Sequence, residues 1–430
     1  MQVIVWTMTF VISFALLYFG NKIVSDGLDT FQSEGAYTVK AMVDHLESVE
    51  QDDYAMSEDL VYTNTSQYFY AKALNGSFKG EMLLAVQTSD NYTSSNPEKT
   101  IEPGDKVILY NYGTKEGAAD WVFGGYARFE PVFILLIVFC GLLILFGKTK
   151  GINTIVSLTF TVLAVFAVFV PSVLAGYNIY VMSILTCVYT IVMTLIITNG
   201  VSQKSFTTIL GCTFGVLLAA ILELLFDRIM QLTGVLDEHS IYLQYLSSGV
   251  EINLRALIFA MVVIGAMGAV MDVAMDISSA LAEVHHHAPQ LSFMELVKSG
   301  LTIGRDVMGT MANTLVLAYI GSSLCSILLL ITYSTSLMEL LNRESIAVEI
   351  MQSLIGSTAI LLTIPLTSLV CAFLYTREKQ HEMRENDNET KPALKKKGVR
   401  DNEEVYKSII PKDPVTFYYD FDKNQKKDSD

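Results

Sequence analysis

Apolar runs of about 17 to 25 residues recur along the chain between short polar stretches, and runs of that length cross the hydrocarbon core of a bilayer as helices. About eight such helices are predicted by this criterion, near 3–19, 131–147, 153–175, 178–198, 206–226, 255–275, 311–332 and 353–375. The first, "VIVWTMTFVISFALLYF", has no basic stretch before it and no A-x-A-like site after it, so an uncleaved anchor over 1–20 is expected rather than a secretory signal. A multispan domain over 128–376 is expected to follow. Lys148, Lys150, Lys204, Lys298, Arg305, Arg377 and Lys379 fall on one side of a chain that weaves alternately. An excess of Lys and Arg marks the cytoplasmic side. Both termini are therefore expected in the cytoplasm, with residues 21–125 outside.

Between the first two apolar runs the period changes from helical to β-like. "EMLLAV" and "DKVILYNY" are short β-prone runs, "EPGD" supplies turn chemistry before the second, and Asn75-Gly76 is a turn candidate before the first. A small β-domain is expected over 36–120, with a barrel of the oligonucleotide/oligosaccharide-binding type as the guess. A scaffold or docking module without chemistry of its own is the leading reading of it. The tail over 377–430 is charged and poor in apolar residues, so disorder in the cytoplasm is predicted. Its "ALKKKGVR" reads as a solvated charge run before it reads as a contact to anionic headgroups. The predicted fold class is thus mainly α: a polytopic transmembrane bundle with a small extracytoplasmic β-domain.

Composition agrees with this class. Of 430 residues 51% are hydrophobic and 17% charged, more apolar than a soluble core requires. The net charge is -15, acidic residues gather before residue 121 and in the tail, and no broad basic surface points to nucleic acid. All five cysteines (Cys140, Cys187, Cys212, Cys325, Cys371) lie in apolar segments, which leaves no disulfide framework or CxxC metal site. G-x-S-x-G, HExxH and Walker patterns are missing, so neither enzyme activity nor a metal or cofactor is expected. The partner that composition does imply is the lipid bilayer.

Charges inside the apolar runs are the candidate chemistry. Asp272, Asp276, Ser279 and Glu283 stand at i, i+4, i+7 and i+11, on one face of a helix entered at Arg255. At 1.5 Å per residue Asp272 lies roughly 25 Å along it, near the cytoplasmic edge of the core. On the next helix, Ser292 and Glu295 have capping-box spacing, with Leu291 and Leu296 placed for a hydrophobic staple. Asp306, Thr310 and Asn313 then repeat at i, i+4 and i+7, and Arg305 sits at the depth to pair with Asp272 or Asp306. Two readings stand side by side. Asp272 neutralises Arg305 and binds helix to helix, or Asp272 changes protonation or ion occupancy, with Arg305 and Asp306 as counter-charges and Thr310 and Asn313 as neutral ligands of a conducted ion or solute.

Small residues qualify the same helices. Gly265, Ala266, Gly268 and Ala269 form a patch before Asp272, while Gly211/Gly215 and Gly300/Gly304 have GxxxG spacing and are read as backbone contacts. Pro365 is expected to kink the last helix, with Thr363 and Thr367 able to satisfy freed carbonyls. His285, His286 and His287 are consecutive and fan out on a helix, so a metal site is not expected there. Glu223 and Asp227 beside Arg228 are read as a headgroup-level ion pair at the outer end of their helix.

The chain resembles the YibE/F-like family of bacterial multispan membrane proteins. The matching stretches are "FKGE", "EPGDKV", "FGKTKG", "NGVSQKS", "IGAMGAVMDVAM", "IGRDVMGTMANTLVLAYIGSSL" and "AVEIMQSLIGSTAILLTIPLT". They cover nearly the whole chain before the tail. The resemblance implies a transporter- or permease-like protein of the bacterial plasma membrane, of no stated substrate, as a homo-oligomer or in a hetero-complex with a second family member. It places Asp272, Arg305, Asp306, Asn313 and Thr314 at family-motif positions. Asp276 departs from the family pattern, where a small or hydroxyl residue is usual, which weakens a paired-carboxylate mechanism. The competing expectation is a non-catalytic scaffold or assembly factor that recruits an envelope partner through its outer domain.

Overall fold

The computed structural model describes residues 2–26, 37–57, 60–90, 100–111, 113, 120–244 and 251–394. A long helix α1 (Gln2–Val24) precedes five strands, β1 (Tyr37–Ser57), β2 (Leu60–Ala73), β3 (Met82–Asp90), β4 (Lys106–Asn111) and β5 (Trp121–Tyr126). Helix α2 (Phe129–Leu163) runs on through a π-helical turn, Ala164–Phe169, into α3 (Val170–Leu174). Then come α4 (Ile179–Asn199), α5 (Gln203–Met230), the short α6 (Glu238–Gln244), α7 (Leu254–His287), α8 (Phe293–Ser322), α9 (Leu324–Tyr333), the short α10 (Leu337–Asn342) and α11 (Glu344–Leu394).

The strands close into a barrel in the order β1-β2-β3-β5-β4, with β3 and β5 parallel and the other pairs antiparallel. Five strands are what the expected barrel class uses. Alternation explains the closure: Val39, Ala41 and Val43 of β1, Phe69 and Ala71 of β2, and Val107 and Leu109 of β4 all point inward and are buried. The turn signals fall where the sequence put them. Asn75 Oδ1 accepts from the Lys40 amide at 2.7 Å, Gly76 takes a φ of 75°, and Glu102 donates its amide to Asp105 at 3.0 Å. Buried Gln67 clamps Ile101 by accepting from its amide (3.3 Å) and donating to its carbonyl (3.2 Å). The last strand lies beyond the expected boundary at 120. Glu130, in the first turn of α2, ties the barrel to the helices through ion pairs with Lys40 and Lys106, the latter at 2.8 Å.

Among the described residues six helices are long and apolar enough to cross a membrane, or seven if the pair α8 and α9, bent by 62°, is one span. About eight separate helices were expected. The difference arises at 131–147 and 153–175, which share the 46-residue run Phe129–Leu174. The only non-helical residue recorded in α2 is Lys148, at φ 49° and ψ -125°. The chain redirects there without a loop, and Gly151 comes against the Leu143 carbonyl where a Cβ would not fit. Nearly every residue of 129–147 is exposed, so this arm meets little of the rest of the protein.

Packing centres on α4, α5, α7 and α11, whose shared core includes Ile191, Cys212, Val216, Ile258, Val262, Val270, Met351 and Ile355. Caps set the helix starts: Asn178 accepts from Val181, Ser202 from Ser205, and Asn253 from Ala256. The predicted box holds at α8, where Glu295 accepts from the Ser292 amide at 2.8 Å and Leu291 and Leu296 join one apolar cluster. Leu17 of α1 packs on Phe160, Met193 and Ile197, and Asn21 donates to the Ala167 carbonyl at 2.6 Å. Helix α11 is continuous through Pro365 and reaches Leu394, so its backbone carries on into the stretch predicted to be disordered. Residues 395–430 lie outside the described residues, including "VTFYYDFD" and most of "ALKKKGVR".

The turn after α5 is held by Glu344, which accepts from the amides of Thr233 and Gly234, each at 2.7 Å. Gly234 has a φ of 92°, and a Cβ there would stand 2.5 Å from Leu254 and 2.8 Å from the Arg255 amide. Gly234→Ala combines left-handed strain with a backbone clash, and a loss of roughly 1–3 kcal/mol is expected. Thermal unfolding of the detergent-solubilised protein checks this. An unchanged midpoint would show that the turn relaxes freely.

Candidate functional site

The expected polar stripe is exposed on the single chain. Asp272 and Asp276 lie on an exposed face of α7 together with Gly265 and Gly268, and Arg305, Asp306, Thr310 and Asn313 lie on an exposed face of α8. The side of α7 turned toward α8 is apolar instead: Val273, Ile277 and Leu281 cluster with Leu296, Val297, Ile360 and Ile364. Helix α11 accounts for this, since it packs on α7 and on α8 more extensively than they pack on each other. Among the described residues Asp272 has no ion pair with Arg305, and neither of them has a charged partner within 4.0 Å. Thr310 and Thr314 satisfy their own hydroxyls by donating to the Val307 and Met311 carbonyls, both at 2.9 Å.

The glycines divide by surroundings. Gly211 lies against Thr367, Gly215 against Thr363 and Val270, Gly300 against Ser368, and Gly304 against Ile364. These are the close helix contacts that the GxxxG spacings predict. Gly265 faces Tyr319 and Gln352, while Gly268 faces open space. Near Pro365, Thr363 donates to the Ala359 carbonyl at 2.7 Å. The three histidines do not converge: His285 stacks on Tyr375 with ring centroids 5.0 Å apart, and His287 meets Glu283 at 2.9 Å. Among the described residues no group of three His, Cys, Asp or Glu side chains could hold a metal ion.

A second set of charges is better enclosed. Glu223 and Asp227 occupy the last two turns of α5, four residues apart and so on one face. The Asn253 cap starts α7 and puts Arg255 in its first turn, and the Asn178 cap does the same for Tyr180 of α4. All four residues meet at one end of the bundle. Asp227 is 5% exposed and accepts from both Nε (3.2 Å) and Nη2 of Arg255, a bidentate pair. Arg228, the expected partner, is exposed and borders the same cavity without pairing among the described residues, so the pairing read from adjacency is corrected to Arg255. Glu223 is 1% exposed, and neither of its carboxylate oxygens has a hydrogen-bond partner.

A cavity of about 800 Å³ opens beside this cluster, between α4 and α5. Its walls include Tyr180, Ile184, Leu217 and Ile221, with Asp227 and Arg255 at its polar end. Tyr180 is held edge-on against Phe259, with ring centroids 4.9 Å apart. Sequence reasoning noticed Glu223 and Asp227 and missed the enclosure. The available signal was a lone Arg opening the apolar run 255–275, level with two carboxylates closing the run before it.

A family model described as YibE/F-like protein matches residues 135–377, more than half of the chain. The match takes in both sets of charges and stops short of the barrel. No curated protein and no solved structure matches.

Proposed function

The chain belongs to the YibE/F-like family, and from that premise we propose that it is a transporter or permease of a small ion or polar solute in the bacterial plasma membrane. The observation that carries this reading is Glu223, enclosed without a partner beside the Asp227–Arg255 pair in a bundle of membrane-crossing helices. An intramembrane ionisable group is costly and marks a pathway or relay more often than a structural prop. Asp272, midway along α7 and about 25 Å from Arg255 by helical rise, and Arg305, Asp306, Thr310 and Asn313 of α8 form the polar stripe. In the proposed path the Glu223 cluster is the outer station and this stripe the inner one.

The proposed orientation keeps the barrel outside and both termini in the cytoplasm. A run of 46 residues would be about 69 Å long, over twice the hydrocarbon core. The Lys148 break supports two crossings there, with Lys148 and Lys150 on the cytoplasmic side. The bare arm over 129–147 and the barrel clasped to it favour a second reading, a scaffold that recruits an envelope partner.

Reconstitution into liposomes decides between the two. Entrapped pyranine and charge-movement recordings with Na⁺, K⁺ and a pH gradient are expected to report flux above empty vesicles, and Asp272→Asn is expected to abolish it with expression intact. Flux equal to that of empty vesicles for every probe overturns the transport reading. Deleting 36–120 with flux retained and partner capture lost would assign the recruiting role to the barrel alone.

A further inference from the structure

We infer that Glu223 is a proton-binding carboxyl with Arg255 as the counter-charge it shares with Asp227, and that Asp227 and Arg255, which border the cavity beside α4 and α5, connect it to that cavity. Resting on the transport reading above, this makes the proton the coupled ion. The geometry argues it in three steps.

First, an enclosed carboxylate with no donor on either oxygen is one of the costliest groups a fold can hold, and such a group neutralises. Glu223 meets that description, at 1% exposed with both oxygens unbonded. In this arrangement Arg255 does not hydrogen-bond it, since Nε and Nη2 of the guanidinium both go to Asp227.

Second, the neighbours favour a proton over a metal ion. The charged and titratable groups around Glu223 are Asp227 on its own helix, Arg255 of α7 and Tyr180 of α4, and Arg228 of α5 borders the cavity beside them. A metal cation would have to sit beside the fixed positive charge of Arg255 with few oxygens to surround it, whereas a proton needs only the one carboxyl. Beside Leu222, Phe226 and Met230 of α5 the α11 residues are uncharged, among them Ala347, Ile350, Met351 and Leu354, and Glu344 is engaged by Thr233 and Gly234.

Third, the cluster has a place for the charge that appears when the proton leaves. With Glu223 protonated, Asp227 and Arg255 cancel. Once the proton leaves to water by way of the end of the cavity that Asp227 and Arg255 border, two carboxylates face one guanidinium. Arg255 has five N–H donors and a side chain 45% exposed, so it has donors to spare and room to bridge both. The one bond broken is the Glu223 O–H and the one formed is an O–H of the water that takes the proton, with the electron pair left on the carboxylate.

Infrared difference spectroscopy of the purified full chain in lipid nanodiscs, titrated from acid to alkaline pH, tests this. A protonated-carboxyl C=O band is expected at neutral pH, to disappear as pH rises, and to be missing in Glu223→Gln, which mimics the neutral acid and keeps the fold. Asp272→Asn should retain it. Wild-type protein without the band at neutral pH, or Glu223→Gln with the band intact, overturns the inference and leaves the transport reading to its flux assay. A band that titrates and vanishes in Glu223→Gln, in protein that moves no probe, upholds the proton site and overturns only the transport reading.

Discussion

Gly215→Leu is expected to leave little folded protein, with the remainder unfolding at a much lower temperature than wild type. Gly215 sits where α5 crosses α11 and α7, and even a Cβ at that position would overlap Thr363 and Val270. One turn earlier Gly211 meets Thr367 in the same way. Lipid tails give no hydrophobic drive for helices to associate, so close backbone approach at small residues carries much of the bundle's cohesion. Overpacking a filled interior costs about 1–3 kcal/mol and occasionally more. Here the walls are three long helices with no loop nearby to yield, which puts the cost at the upper end. Gly268→Ala is the control: its Cβ enters open space, and exchanging Gly for Ala inside a helix favours the helix by about 1 kcal/mol. Size-exclusion profiles and thermal midpoints of the two variants check the contrast. Equal behaviour would mean that the α5–α11 crossing is not a tight contact.

Arg255→Ala should be the most damaging loss of a charge. It strands Asp227, 5% exposed, without its bidentate partner, next to a second enclosed carboxyl. Breaking a buried pair from one side costs about 3–5 kcal/mol. Because the Arg255 side chain is 45% exposed, water can reach into the gap and the expected loss is smaller, about 2–3 kcal/mol. Adding Asp227→Asn should recover most of it, since the stranded charge goes with the second substitution. A double variant as unstable as Arg255→Ala alone would show that the arginine acts through packing and not through its charge.

Much of the architecture was legible in the sequence. Apolar run length located the crossing helices, Ser292 and Glu295 gave the start of α8, and alternation with Asn75-Gly76 and "EPGD" gave the barrel. These signals are local. The features that escaped depend on contacts between distant residues or on backbone angles. The break at Lys148 falls between the two runs that hydropathy separated, and what escaped is that it is a single unusual φ/ψ pair within one 46-residue run and not a loop. Periodicity correctly put Asp272 and Asp276 on a common face but could not say what that face meets. Helix α11, which begins more than fifty residues later, fills the space that the α7–α8 pairing was expected to close. Asp227 finds Arg255, 28 residues on and across a turn, where adjacency suggested Arg228.

Glu130 grips two barrel lysines at the head of α2, and the next five or so turns of that helix meet little protein. Whatever seizes the barrel therefore holds a handle with two shafts, α1 seated on Phe160, Met193 and Ile197, and the bare arm of α2. A pull along the α2 shaft reaches the break at Lys148 before it reaches the packed helices. A pull along the α1 shaft goes straight to them.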